Sequence, residues 1–226
     1  MSGVTQMRLF QLASQALPIG GYSHSHGLEA AIEAGLVRDA ATASSWILDV
    51  LAFSVNSYEV PFLFRLGTAW AANDGERLHA LNEEFLATRE SAELRGATVQ
   101  MGFSMRALLA ALPDLPAPLL VTLQGIEEPS LPCVWSGVAT AWALSPSDSA
   151  AAYLWSWAEN QVLVAVKSLP LGQSAGQRLL FGLGEEIARL TAGGDPRGDE
   201  SLSNLAPALA ILSSQHETQY SRLFRS

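Results

Sequence analysis

The chain is 226 residues long, 49% apolar and only 15% charged, with 22 acidic side chains against 13 basic ones and a formal charge of −9. That length suits one domain with a substantial core, and the acidic balance argues against nucleic acid as the main partner. A charged fraction well below the ~25% of an ordinary soluble domain leaves apolar surface for another chain to cover, which points to a permanent complex.

Helical periodicity and Ala, Leu, Glu and Arg content dominate, while alternating β-branched and aromatic runs are nearly absent. The expected class is all-α, a single-domain multi-helix bundle over 1–226. Leu9, Leu12 and Ala13 mark a first helix that stops before Pro18, and Leu28, Ala31 and Ile32 begin a second that Gly35 ends. Asp39 is placed to cap a third helix through Trp46, Val50 and Phe53, and Pro61 to open a fourth toward Trp70. Asn73-Asp74-Gly75 reads as a turn, after which Leu78, Leu81 and Phe85 resume the pattern. A long helix is expected over 91–112, a loop over 113–118 and an apolar helix over 131–143. Ser145-Pro146-Ser147-Asp148 reads as a capping box whose helix ends at 168 or 169, ahead of Pro170. There follow a helix over 172–190, a mobile loop over 191–203, a last helix from Leu205 to about 213, and a polar-aromatic tail over 214–226. No apolar run approaches the ~18 residues of a spanning helix, and the N-terminus lacks a signal peptide's basic-then-apolar pattern. Cys133 stands alone, which suits the cytoplasm.

The segment between the first two helices is the most particular: Ala16-Leu17-Pro18-Ile19-Gly20-Gly21-Tyr22-Ser23-His24-Ser25-His26-Gly27-Leu28-Glu29. A plain connection needs only turn chemistry, so this run is either a site or a docking surface. Gly20-Gly21-Tyr22-Ser23 lacks the Lys-Ser/Thr and the preceding strand of a phosphate loop. Gly21-Tyr22-Ser23-His24-Ser25 lacks the last glycine and the sheet of a nucleophile elbow, which counts against a hydrolase using Ser23 and His24. His24 and His26 are candidate metal ligands, but a stable site takes three or four donors, and His79 and His216 stand apart in sequence. Hydrogen bonding within the loop is the favoured role for the pair.

Lys167, the one lysine, closes an apolar helix; it serves either the helix dipole or, as a compact point charge, a carboxylate or phosphate. Glu83, Glu84, Glu90 and Glu93, interspersed with Arg89 and Arg95, read as a solvated, salt-bridged helix face. In the tail, Tyr220, Leu223 and Phe224 share helical spacing and Arg222 and Arg225 flank them. Aromatics and arginine are hot-spot residue types, so partner binding is favoured over folding back.

Three separated parts of the chain resemble the UreF family of urease accessory proteins: residues 12–29, Thr88-Arg89-Glu90-Ser91-Ala92-Glu93-Leu94-Arg95, and the pair of segments 166–173 and 216–226. The resemblance runs essentially end to end, with little motif identity between 112 and 132. It implies an all-α fold that dimerises, an obligate partner UreD (UreH in some organisms), and recruitment of UreG, the nickel-carrying GTPase that binds the GTP. The assembly would dock on apo-urease in the cytoplasm and help insert nickel, with no catalytic residue and no stably bound cofactor in this chain. On this resemblance Glu29 and Lys167 match residues implicated in coupling GTP hydrolysis to metal delivery, and Tyr22 and Arg222 match a pair that helps order the tail and the UreG-facing surface. Contacts of Glu29 with Lys167 and of Tyr22 with Arg222 are therefore expected. The alternatives are a nickel carrier using His24, His26 and Cys133, and the hydrolase.

Overall fold

The computed structural model describes residues 2–113, 115–192 and 202–225. Among these residues the regular elements are all helical, as expected. Local chemistry accounts for most of the starts. Helix α1, Gly3–Ala13, is capped by the Ser2 hydroxyl, which accepts from the Thr5 N–H. A short 3-10 turn, Gly21–Ser23, precedes α2, Leu28–Glu33. Helix α3, Ala40–Val50, opens with a full capping box between Asp39 and Thr42.

The expected break before Pro61 does not occur. After α3 the chain continues as a wider π-helical stretch, Leu51–Glu59, in which the Val60 N–H bonds the Val55 carbonyl, and runs on into α4, Val60–Ala71. A proline inside a regular α-helix strikes the carbonyl four residues back; the wider coil beneath Pro61 moves that carbonyl aside. The joined helix Ala40–Ala71 is long and apolar enough to span a bilayer by length and composition, contrary to the expectation from sequence runs. Some 61% of its most apolar window is buried inside the protein, so its apolar side is used by the core.

Helix α5, Gly75–Ala87, is capped by Asp74, and α6, Ala92–Ala111, by Ser91. The expected loop over 113–118 is shorter, because α7, Ala117–Gly125, starts behind Pro116 and tolerates Pro118 in its first turn. Then come α8, Leu131–Ala141, α9, Pro146–Ser168, and α10, Gln173–Thr191. Of the expected loop over 191–203, residues 193–201 lie outside the described part, and Thr191 still belongs to α10. Helix α11, Pro207–His216, begins two residues later than expected, and the tail beyond it is not helical, so the spacing of Tyr220, Leu223 and Phe224 is not that of a helix face.

Helix α9 is the hub, packing on α10, α1, α2, α3 and α4, while α8 is clasped between α4 and α6. Its inner side meets a core in which Trp135, Phe62, Phe85, Leu12, Ile47 and Leu66 are fully buried; each such side chain contributes roughly 1.5–3 kcal/mol. Two indole tips within this core are paired: Trp70 Nε1 donates to the Cys133 carbonyl at 2.9 Å and Trp135 Nε1 to Ser149 Oγ at 3.2 Å. Burial pushes the Cys133 thiol up to about 12, so it is a packing residue with no thiolate at neutral pH. A second cluster, with Leu28, Ala31, Val37, Val164, Leu212 and Phe224, ties α2, α9, α11 and the tail together.

One glycine sets a helix–loop distance. A Cβ on Gly102 of α6 would lie 1.9 Å from the Pro129 carbonyl oxygen. Gly102→Ala is expected to lower stability by about 1–3 kcal/mol in urea unfolding, because backbone must move. Gly67→Ala, with nothing within 4 Å of the new methyl, is expected to gain up to ~1 kcal/mol from helix propensity.

Candidate functional site

The N-terminal segment is bent into place by three left-handed residues, Gly20 at φ 78° ahead of the 3-10 turn, then His26 at φ 49° and Gly27 at φ 78° ahead of α2. Gly27 is required twice over, since a Cβ there would also come within 3.0 Å of Leu209 on α11. This bend delivers Glu29 into the first turn of α2, buried, facing the end of α11.

Glu29 meets His216, the last residue of α11, and not Lys167. His216 Nε2 lies 3.0 Å from Glu29 Oε2, and its Nδ1 lies 2.7 Å from Oε2 of Glu93 in the first turn of α6. Each ring nitrogen of His216 thus faces a carboxylate oxygen from a different helix, so the one side chain bridges α2 and α6. Arg222 Nη1 donates to the other Glu93 oxygen at 2.8 Å, so the four side chains form one chain of bonds. The helix dipoles support the arrangement, with both glutamates at helix N-termini and the histidine at a C-terminus.

The same Glu29 carboxylate holds the tail. Its Oε1 accepts the Leu223 N–H at 2.6 Å and its Oε2 accepts the Phe224 N–H at 3.0 Å. Arg225 N–H donates to the Ser23 carbonyl at 2.8 Å, and Glu217 Oε1 accepts the Ala92 N–H at 2.9 Å, meeting one of the open donors of α6. Phe224 is buried, with the Lys167 ammonium 5.8 Å from its ring centroid. The tail thus folds back on its own chain, while Tyr220 and Leu223 point outward, as does Tyr22. The expected contacts are replaced for a physical reason. Glu29 is enclosed and its oxygens are taken by His216 and two backbone amides, whereas Lys167 is exposed at the end of α9 and forms no ion pair among the described residues. Arg222 turns to Glu93, and no bond to Tyr22 forms.

The histidines of the loop are bonded inward. His26 Nδ1 accepts from Trp157 Nε1 at 3.0 Å, and the His24 carbonyl accepts from Asn160 Nδ2 at 2.7 Å, with the two rings parallel at 6.2 Å. Burial, then the neighbouring His26 and Arg225, lowers His24 to about 3; burial, then Arg89, lowers His26 to about 4. Among the described residues no group of three or more His, Cys, Asp or Glu is placed to hold a metal ion. Both rings are neutral in the fold at pH 7, and above pH 6.5 they are neutral in the unfolded chain too. Below 6.5 the unfolded chain takes protons that the fold refuses, so stability is lost as pH falls from 6.5 toward 4 and 3. The slope is up to ~1.4 kcal/mol per pH unit for each histidine. His26→Asn, which tolerates the left-handed backbone and keeps an acceptor near Trp157, is expected to remove about one proton from that slope in urea midpoints compared at pH 7.5, 6 and 5.

The charged run before and within α6 is not uniformly solvated. Arg95 and Glu128 form an exposed bidentate pair at 3.1 and 2.6 Å. Arg89, however, is buried, its Nη1 2.9 Å from Oε1 of Glu59, while Tyr153 donates its hydroxyl to Glu59 Oε2 at 2.6 Å. The guanidinium lies over Phe85 at 4.3 Å and Tyr58 at 5.3 Å. Burial and the Glu59 charge hold the Tyr153 phenol well above its ordinary range, and burial raises Glu90. Ser23 Oγ donates to the Gly20 carbonyl at 2.7 Å, so the hydroxyl serves the turn.

The UreF family model matches residues 37–184. The urease accessory protein UreF of Dechloromonas aromatica is 52% identical over 220 residues, spanning 97% of this chain and 96% of that protein. Its counterpart from Azoarcus is 49% identical over 223 residues, covering 97% and 95%. The Janthinobacterium UreF is 45% identical over 226 residues, covering 100% of both chains.

Proposed function

The chain belongs to the UreF family and is a urease accessory protein that acts in urease maturation; on that premise we propose that it works as an adaptor rather than as an enzyme. In this reading it joins UreD (UreH) and UreG as a dimer in a cytoplasmic complex on apo-urease. UreG binds and hydrolyses GTP, nickel is the cargo delivered to the urease active site, and this chain holds no cofactor of its own.

The observation that carries the reading is the pinned tail. Glu29, His216, Glu93 and Arg222 fix the chain from 217 to 225 against α2 and α6, and the fixed tail leaves Tyr220 and Leu223 exposed. Lys167 is exposed, its ammonium over the Phe224 ring of the same tail. An aromatic, an aliphatic and a cation held in set positions reduce the ordering cost that a partner's binding otherwise meets. Tyr22, exposed on the loop that Arg225 anchors, extends the same surface.

The test is charge reversal at Lys167. Lys167→Glu is expected to leave the fold intact, since the ammonium forms no ion pair among the described residues, and to lower the nickel content of co-expressed urease several-fold. Normal nickel content in urease matured with the folded variant would sink the adaptor surface as drawn.

A further inference from the structure

We propose that a cavity beneath the N-terminal loop holds a cluster of ordered waters that completes the hydrogen bonding of Arg89 and Asn160. The cavity has a volume of about 70 Å³ and lies between the loop, the π-helical stretch, α6 and α9; its polar wall includes His26, Glu59, Arg89, Tyr153, Ser156 and Asn160.

Two of these side chains are incomplete. Arg89 is only 5% exposed, and its Nε and Nη2 have no hydrogen-bond partner among the described residues. Asn160 is 6% exposed; its Nδ2 is bonded to the loop, while its Oδ1 has no partner among the described residues. Buried polar atoms in native structures are met by protein or by ordered water.

The chemistry selects the guest. It must accept from Arg89 and donate to Asn160, so it carries both functions. Arg89 and Glu59 already neutralise each other at 2.9 Å, so a further ion gains no counter-charge, and a carboxylate guest would face the Glu59 carboxylate. An apolar guest would leave all three atoms unmet. Water meets every condition, and a space of about 70 Å³ accommodates on the order of two to four molecules. Such waters also ease the desolvation of the Arg89–Glu59 pair.

Water relaxation dispersion on the purified protein counts internal waters with long residence times. The wild-type chain is expected to show at least two, and Ser156→Leu, which places a side chain into the cavity from α9 at a residue with no side-chain hydrogen bond among the described residues, is expected to lose them. A wild-type count of zero overturns the proposal, as does a count that a folded Ser156→Leu leaves unchanged. If that variant does not fold, a high-resolution crystal structure of the wild-type protein decides: water density within hydrogen-bond distance of Arg89 or Asn160 supports the proposal, and none overturns it.

Discussion

His216→Ala is expected to destabilise the chain by about 3–5 kcal/mol and to abolish its contribution to urease maturation. The size follows from what is left behind. The ring is fully buried between Glu29 and Glu93 at 3.0 and 2.7 Å, and its removal strands two enclosed carboxylates near one another with only Arg222 as a side-chain cation. Breaking a buried ionic network by deleting one member has that magnitude because the remaining charges keep their desolvation penalty. The effect on the tail is specific: Glu29 also holds the Leu223 and Phe224 amides, so amide exchange in 217–225 should quicken more than exchange in α8. Urea unfolding gives the stability, and a Glu93→Gln, His216→Ala double variant is expected to recover part of the loss because one stranded charge is gone. A His216→Ala chain as stable as wild type would show that the ring is not the keystone of the clamp.

The second large effect is expected at Arg89. Arg89→Met keeps much of the apolar stem over Phe85 but leaves the largely enclosed Glu59 carboxylate with only the Tyr153 hydroxyl, and is expected to cost about 3–5 kcal/mol. Arg89→Met combined with Glu59→Gln should recover most of that, since the amide still accepts from Tyr153 without a charge. Both are read from urea midpoints at pH 7.5. A loss below 1 kcal/mol for Arg89→Met would place the pair in water rather than in the core.

Much of the architecture is legible because helix starts are local chemistry. Asp39, Ser91 and Ser145 each sit beside the amides they cap, and the helices they open begin where expected. Pro61 misleads because a proline reads alike whether it opens a helix or rides on a π-helical stretch; only the wider coil beneath it distinguishes the two. Pro118 misleads in the opposite sense, as a loop residue that sits in the first turn of α7. The site divides similarly. Glu29, Arg222 and Phe224 all lie in the clamp region, but their partners are not the expected ones, because pairing across the chain leaves no spacing to read. His216 stands alone in sequence, 187 positions from Glu29 and 123 from Glu93, and only the fold makes it the centre. Arg89 was hidden within a run of alternating charges; its burial depends on Glu59 and Tyr153 arriving from α3–α4 and α9. For the tail, the choice between folding back and binding a partner was too narrow, since it folds back through Phe224 and still presents Tyr220 and Leu223 outward.

The proposed role of the clamped tail as a docking surface is read out by co-purification of UreD and UreG with a chain carrying Tyr220→Ala and Leu223→Asp. Both side chains are exposed and outside the clamp, so the thermal midpoint should match wild type. The variant, folded and monodisperse, is expected to fail to assemble the complete complex. Full assembly with both partners would contradict that role.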